Sequence, residues 1–226
     1  MNFKTENLSL SIAHLNINLT VITNLDDLFD ALIEKGNDHA DVQDERIPYW
    51  AELWASAIGL SEYLIENQVI TPEKKVLEIG CGLGLPSIVA GLLGAKDIII
   101  SDYFQEALDF AEMNWVKNLP HQKAQFLTMD WRNPPPSLKC DILLASDVAY
   151  EKRAFEPLLN AFKTFLNSNG TILISEPNRY ISKSFFSNLH HEGYEVKHSE
   201  KTINRKGHNF LINIYELKLG RQQKQF

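Results

Sequence analysis

Residues 8 to 21 alternate apolar and polar positions in two phases: Leu8, Leu10 and Ile12, then Leu15, Ile17, Leu19 and Val21. Period-two alternation predicts half-buried strands, and the phase change at Ala13-His14 predicts a turn or bulge between them. Asn24 is placed to cap a helix running through Leu25, Leu28, Phe29 and Leu32, with Gly36 ending it. Residues 37–46 are polar and acidic and read as a mobile loop. Pro48 then opens a strongly apolar helix through Tyr49, Trp50, Leu53, Trp54, Ile58, Leu64 and Ile65. On such a helix Trp50 and Trp54, four apart, share a face.

From Lys75 the pattern becomes repeated strand and helix. Strands are predicted at 75–79, 97–101, 124–127, 141–147 and 171–175, with helices at 87–93, 105–117, 154–166 and 182–191. Such alternation signals a parallel sheet covered by helices on both faces. Residues 167–170 read as a turn. The last strands, 194–199 and 210–217, read as antiparallel neighbours joined by a basic loop, 201–208, and 220–226 as a frayed tail. The expected fold is α/β, a doubly wound seven-stranded sheet with an antiparallel last strand and an N-terminal β/α extension. One domain is expected over 1–226, with residues 1–47 as the extension and 48–219 as the core.

The chemistry concentrates at the strand ends. After the strand at 75–79 comes Glu78-x-Gly80-x-Gly82-x-Gly84, a loop whose glycines permit positive φ and close backbone approach to a ligand. The dinucleotide pattern Gly-x-Gly-x-x-Gly presents a helix N-terminus to a pyrophosphate. Here the glycines fall at every second position behind an acid, which suits a ligand with an amine and no phosphate; the alternative is a packing turn. Glu78, Asp102, Asp130, Asp147 and Glu176 stand at successive strand ends, the edge where open α/β sheets place their ligand crevice. Asp102 follows Gly84 by 18 positions, near the ~20-residue offset of a ribose-binding acid. Asp130-Trp131 offers a polar group and an aromatic plane to an adenine ring.

Composition narrows the classes. The net charge of −7 argues against a non-specific grip on nucleic acid, which rests on Lys and Arg neutralising phosphates. Two cysteines make no disulfide framework, and the start of the chain lacks an apolar signal core, so a reducing, cytoplasmic setting is expected with no membrane partner. The seven histidines never take a metal-ligand spacing, so no metal is expected. The basic residues Lys201, Arg205, Lys206 and His208 read as a solvated loop. Asn178 and Arg179 are equally placed to face a pocket or to form a turn.

Tyr49-Trp50-Ala51-Glu52-Leu53-Trp54, the glycine loop, Asp130-Trp131 and Ser146-Asp147-Val148-Ala149-Tyr150-Glu151 together resemble the seven-strand S-adenosylmethionine (SAM) methyltransferases of the lysine methyltransferase 16-type family. The resemblance covers roughly residues 45–180, and its most specific element is Asp147-x-x-Tyr150. It implies a Rossmann-like fold, SAM as cofactor and S-adenosylhomocysteine (SAH) as product. By that likeness Glu78, Gly80, Gly82, Gly84, Asp102, Tyr103, Asp130, Trp131 and Ser146 hold SAM, and Trp54 closes over it. Asp147 and Tyr150 line the methyl-transfer site. Family members methylate lysines of chaperones, of elongation factors and of the electron transfer flavoprotein β-subunit, so a protein lysine is the expected acceptor. A small-molecule N- or O-methyltransferase and a non-catalytic SAM-binding module stand as alternatives. A nucleic-acid enzyme is disfavoured, because Asp147-Val-Ala-Tyr150 is not the Asn/Asp-Pro-Pro-Tyr form.

A lysine acceptor must attack as the neutral amine, although its unperturbed pKa is about 10.4. Desolvation lowers a lysine pKa by up to ~3–5 units, so an aromatic, half-dry slot serves better than a strong base. Trp50, Trp54, Tyr103, Trp115, Trp131 and Tyr150 are candidate walls. The carboxylate of Asp147 is expected to place the ammonium more than to deprotonate it.

Overall fold

The computed structural model describes residues 3–36, 38–39, 42 and 47–220. The expected loop at 37–46 and the expected tail at 220–226 lie largely outside the described residues. Strands β1 (Thr5–Ile12) and β2 (Leu15–Ile22) form a separate two-stranded antiparallel sheet, and α1 spans Leu25–Ile33. The remainder is built from α2 (Ala55–Asn67), β3 (Lys75–Ile79), α3 (Leu85–Leu92), β4 (Asp97–Asp102), α4 (Gln105–Asn118) and β5 (Gln125–Thr128). There follow β6 (Cys140–Ser146), α5 (Phe155–Phe165), β7 (Leu166–Glu176), α6 (Lys183–Asn188), β8 (Tyr194–Arg205) and β9 (His208–Leu219). The sheet order is β5-β4-β3-β6-β7-β9-β8, parallel throughout except for β9, which runs against both neighbours. This is the doubly wound, Rossmann-like architecture expected, with the antiparallel strand last in the chain.

Because side chains alternate along a strand, the two faces carry separate cores. Val76, Ile98 and Ile100 face α2, α3 and α4, whereas Leu77, Ile79 and Ile99 face Phe162 and Phe165 of α5 and Phe185 and Phe186 of α6. From β3 the chain winds outward to β4 and β5, then returns across β3 to β6. The carboxyl ends of β3, β4 and β6 therefore open onto the switch point where such sheets bind ligands. The N-terminal hairpin seals the flank: Ile17 and Leu19 are fully buried, and Thr20 N–H donates to Asn114 Oδ1 of α4 at 2.6 Å.

Four local expectations need correction. The helix predicted from Pro48 is broken: Tyr49–Ala51 make one 3₁₀ turn, Glu52 and Trp54 are extended, and α2 starts at Ala55. Tertiary contacts override the helical pattern. Trp50 buries its ring edge-on against Phe3 and beside Phe110, while the Trp54 indole N–H donates to the Tyr49 carbonyl at 2.9 Å, so the two rings do not share a face. The basic loop at 201–208 is mostly strand. β8 and β9 meet at a two-residue turn with positive φ at Lys206 and Gly207, and Lys201 and Arg205 are paired to Glu66 and Glu52. Residues 167–170 are an irregularity inside β7, where the pairing jumps from Cys140–Leu166 to Ile142–Thr171. Finally, Asn24 does not cap α1: its Oδ1 accepts from Lys4 N–H at 2.8 Å, tying the helix entry to β1.

Candidate active site

The turn after β3 takes positive φ at Gly80 (62°), Gly82 (51°) and Gly84 (80°). It is pinned on both sides, with Cys81 N–H donating to the Ser101 carbonyl at 3.0 Å and Gly82 N–H to Asp102 Oδ2 at 2.9 Å. Gly80 and Gly82 form the wall of a cavity; Gly84 lies behind it, at the start of α3. A Cβ at Gly82 would stand 3.0 Å from the Trp50 carbonyl oxygen, and one at Gly84 would press on Ala111 of α4 at 3.1 Å. Glu78 also stays behind the wall. Sharing the face of Val76, it points under α3, where Oε2 accepts from the N–H (3.0 Å) and the hydroxyl of Ser87. Complete burial pushes its carboxyl up to about 8, and its Oε1 has no hydrogen-bond partner among the described residues.

The cavity runs along the carboxyl ends of β3, β4 and β6. Asp102, Tyr103, Phe104, Trp131, Ser146, Asp147 and Tyr150 line it together with Trp50, Trp54 and the glycines, and Tyr103, Phe104, Trp131 and Tyr150 also border an adjoining recess. Asp102 is buried and held from Phe104 N–H at 3.1 Å as well as from Gly82. Burial raises its carboxyl despite these bonds. Asp130 does not reach this cavity. It faces that recess and is bound to Arg132, whose guanidinium also lies over the Tyr103 ring. Trp115 is excluded from the walls altogether: it is 2% exposed in the core and donates to the Gln122 carbonyl.

The cavity's charge is its plainest chemical feature. Glu52, Asp102 and Asp147 line it, and among the described residues no Lys, Arg or His does. A phosphate-bearing ligand finds no cation in that lining; of the three carboxylates, Asp147 is paired to Arg179 and Glu52 to Arg205, which leaves Asp102 without a cationic partner among the described residues. SAM fits this donor set: glycines at the closest approach, a carboxylate for ribose hydroxyls, aromatic planes for adenine, and a lining without Lys, Arg or His to repel a sulfonium and an α-ammonium.

Asp147 ends β6 in the left-handed region (φ 56°), its N–H bonded to the Ser175 carbonyl of β7 at 2.8 Å. Such backbone is uncommon outside glycine, Asp being among the tolerant residues, and it turns the carboxylate across the end of the sheet. Both oxygens meet Arg179, at 2.9 Å (Nη2–Oδ2), 3.0 Å (Nη2–Oδ1) and 3.1 Å (Nε–Oδ1). Burial pushes the Asp147 carboxyl up, and Arg179 pulls it back by hydrogen bonding and charge. Tyr150 stands edge-on to Tyr49 at 5.6 Å, and burial pushes its phenol up to about 12.

Tyr49, Glu52, Trp54 and Asp147 are shared with a second groove on the far side of this wall. That groove is completed by Leu25 and Phe29 of α1, by Pro177 and Arg179, and by Arg205 and Phe210 of the β8–β9 hairpin. Of the site residues named from sequence, the structure thus gathers Trp54, Gly80, Gly82, Asp102, Tyr103, Trp131, Ser146, Asp147 and Tyr150 around one cavity and leaves Glu78, Gly84 and Asp130 outside it. The sequence names neither Tyr49 nor Phe104 as a site residue; for Arg179 it offers a pocket-facing or a turn-forming place, and the fork on Asp147 is visible only in the structure.

Residues 40–192 match the family model described as lysine methyltransferase. The chain belongs to the lysine methyltransferase family. It is 34% identical over 137 residues to the protein N-terminal and lysine N-methyltransferase EFM7 of Cryptococcus neoformans, covering 55% of this chain and 46% of that protein. It is 31% identical over 140 residues to the electron transfer flavoprotein beta subunit lysine methyltransferase of Danio rerio, covering 58% and 51%. The chain thus spans about half the length of the curated relatives it matches. The SAM-bound magnesium protoporphyrin IX methyltransferase of Synechocystis PCC 6803 superposes with a TM-score of 0.59 over 87% of this chain and 92% of that one, at 17% identity, a likeness of fold. In this lysine methyltransferase family member the matched segment stops before β8 and β9, so the hairpin wall of the second groove lies outside it.

Proposed function

We propose that this family member transfers a methyl group from SAM to the side-chain amine of a protein lysine. The observation that carries the reading is the shared wall: Asp147, Tyr49 and Trp54 face both the acidic, base-free cavity and the open groove beyond it. When bound, SAM supplies a methyl group on a cationic sulfur. Gly80 and Gly82 would give it backbone contact, Asp102 would accept from its ribose hydroxyls, and Tyr103 and Trp131 would supply aromatic surface for its base.

The lysine side chain enters from the groove. Tyr49, Trp54 and Tyr150 strip water from its amine, which favours the neutral form, and their rings attract the cation as it arrives. These walls would present the nitrogen lone pair to the methyl group that bound SAM supplies, a transfer in which the carbon–sulfur bond breaks and sulfur keeps the pair. Alignment of nitrogen, carbon and sulfur supplies most of the acceleration. Tyr150, with its phenol held neutral, serves as a wall and not as a base.

The test uses purified protein, methyl-labelled SAM and a cell extract split into protein and small-molecule fractions. Label in discrete protein bands is the expected outcome. Label confined to small molecules would replace the reading with a small-molecule methyltransferase, and SAH binding without transfer to either fraction would leave a binding module.

A further inference from the structure

Resting on the proposed SAM site, we propose that Arg179 is a positioning residue that neutralises Asp147, so that the acceptor amine is received uncharged. A carboxylate alone at the transfer site would stabilise the lysine as ammonium, which has no lone pair to attack with. Asp147 is not alone. It meets the guanidinium through three contacts of 2.9 to 3.1 Å, the bidentate geometry that makes an arginine–carboxylate pair strong and well oriented.

The pair is held from behind. Glu176, at the end of β7, accepts Arg179 N–H at 2.8 Å and the Ser182 hydroxyl at 2.9 Å, and Asn213 of β9 occupies its other oxygen. Those bonds fix the loop that carries Arg179, while the guanidinium lies over the Trp54 ring at 5.8 Å. From α2, Ser56 adds only a long hydroxyl contact to Asp147, at 3.4 Å.

Of the remaining charges near the pair, Glu176 and Asp102 are held by uncharged donors, and the others are bound to counter-ions or lie at the groove. On the groove side Glu52 is bound by Arg205 at 2.8 Å and approached by Lys206 at 3.6 Å. Beside Tyr150, Glu151 is bound to Arg153. Asp26 and His208 sit at the outer groove wall, and Tyr49 presents its ring to Tyr150. Asp147 and Arg179 cancel each other, so the pair that stands closest to the transfer point adds no net charge there. An incoming ammonium meets desolvation without a countercharge from Asp147, which favours the neutral amine.

The experiment needs no acceptor. Sinefungin is a SAM analogue in which an amine-bearing carbon replaces the methylated sulfur, so it brings an amine to the transfer point. Affinities for sinefungin and SAH are measured by calorimetry from pH 6 to 9 on wild type, R179Q, R179K, D147N and D147N/R179Q. An unbalanced charge within ~4–6 Å shifts a pKa by about 1–3 units, so R179Q should favour sinefungin over SAH about tenfold or more beyond wild type at neutral pH. The preference should fade toward higher pH as the amine deprotonates. D147N should shift the preference the other way, while R179K and the double variant stay near wild type. A merely structural Arg179 would weaken both ligands alike, and a ratio unchanged in R179Q and D147N overturns the proposal. Wild type that binds neither ligand overturns the SAM reading, and this inference with it.

Discussion

The backbone N–H of Gly82 donates to Asp102 Oδ2 at 2.9 Å, so the glycine turn and the end of β4 hold each other in place. The other carboxylate oxygen takes Phe104 N–H. Both lobes of Asp102 thus shape the turn, and the same carboxylate faces the cavity. Asp102→Asn must set an amide NH₂ against one of these two donors, at a cost of about 1–3 kcal/mol. Denaturant unfolding should show that loss, and calorimetry should show SAH affinity reduced about tenfold or more, as loss of one such interaction implies. Unchanged SAH affinity would remove Asp102 from the binding set.

Gly82 and Gly84 separate ligand approach from packing. Both have positive φ, so alanine at either should destabilise the fold by ~1–3 kcal/mol. Gly84→Ala meets Ala111, behind the cavity, and the folded variant should keep SAH affinity. Gly82→Ala meets the Trp50 carbonyl in the cavity wall and should lose it. Equal effects of the two on SAH binding would contradict this division.

Glu78 predicts a pH dependence. Its folded carboxyl is raised to about 8, chiefly by burial, above an unfolded value near the model 4.5. The native state therefore holds a proton that the unfolded chain releases, and stability must fall as pH rises between these values. Asp102 and Asp147 are raised in the same sense, so the comparison must isolate one acid. The melting temperature of wild type relative to Glu78→Gln should decline steadily from about pH 4.5 to pH 8. A flat difference would mean that Glu78 is ionised throughout.

The strands of the central sheet were legible because buried parallel strands are continuous apolar runs, as in Ile98-Ile99-Ile100 and Ile142-Leu143-Leu144. The family likeness was legible in Asp147-x-x-Tyr150 and the glycine spacing. The break at residues 52–54 was not, because the apolar pattern there fits a helix and the indole bond to Tyr49 and the Trp50 ring packing decide otherwise. The Arg179 fork was ambiguous for a similar reason: it depends on how the ends of β6 and β7 sit side by side. Glu78, named for its place beside the glycines, sits behind the cavity wall. Period two along β3 puts it on the face of Val76, beneath a helix, and that signal was available.

Tyr150 should act through its ring. With the phenol raised to about 12 it stays neutral over any working pH, so Tyr150→Phe should retain transfer within a few-fold and show no new pH limb. Tyr150→Ala loses the wall and a cation–π partner worth ~0.5–2 kcal/mol, and should lower kcat/KM about tenfold. Loss of activity in the phenylalanine variant would require a role for the hydroxyl.

Arg205 joins the β8–β9 hairpin to Glu52 of the shared wall at 2.8 Å, with both side chains mostly buried (17% and 19% exposed). Arg205 lines the groove and not the cavity, so Arg205→Ala should disturb the groove first and reach the cofactor side only through Glu52. The expected signature is a raised acceptor KM with kcat and SAH affinity nearly unchanged, and a matching fall in SAH affinity would contradict it.

The central claim is that the acceptor is a lysine amine. Protein labelled by wild type with methyl-labelled SAM should be hydrolysed in acid and its amino acids separated. The account predicts label co-migrating with Nε-methylated lysine, absent when Asp147→Ala replaces wild type. Label released as a base-labile ester, or recovered on another amino acid, would contradict it.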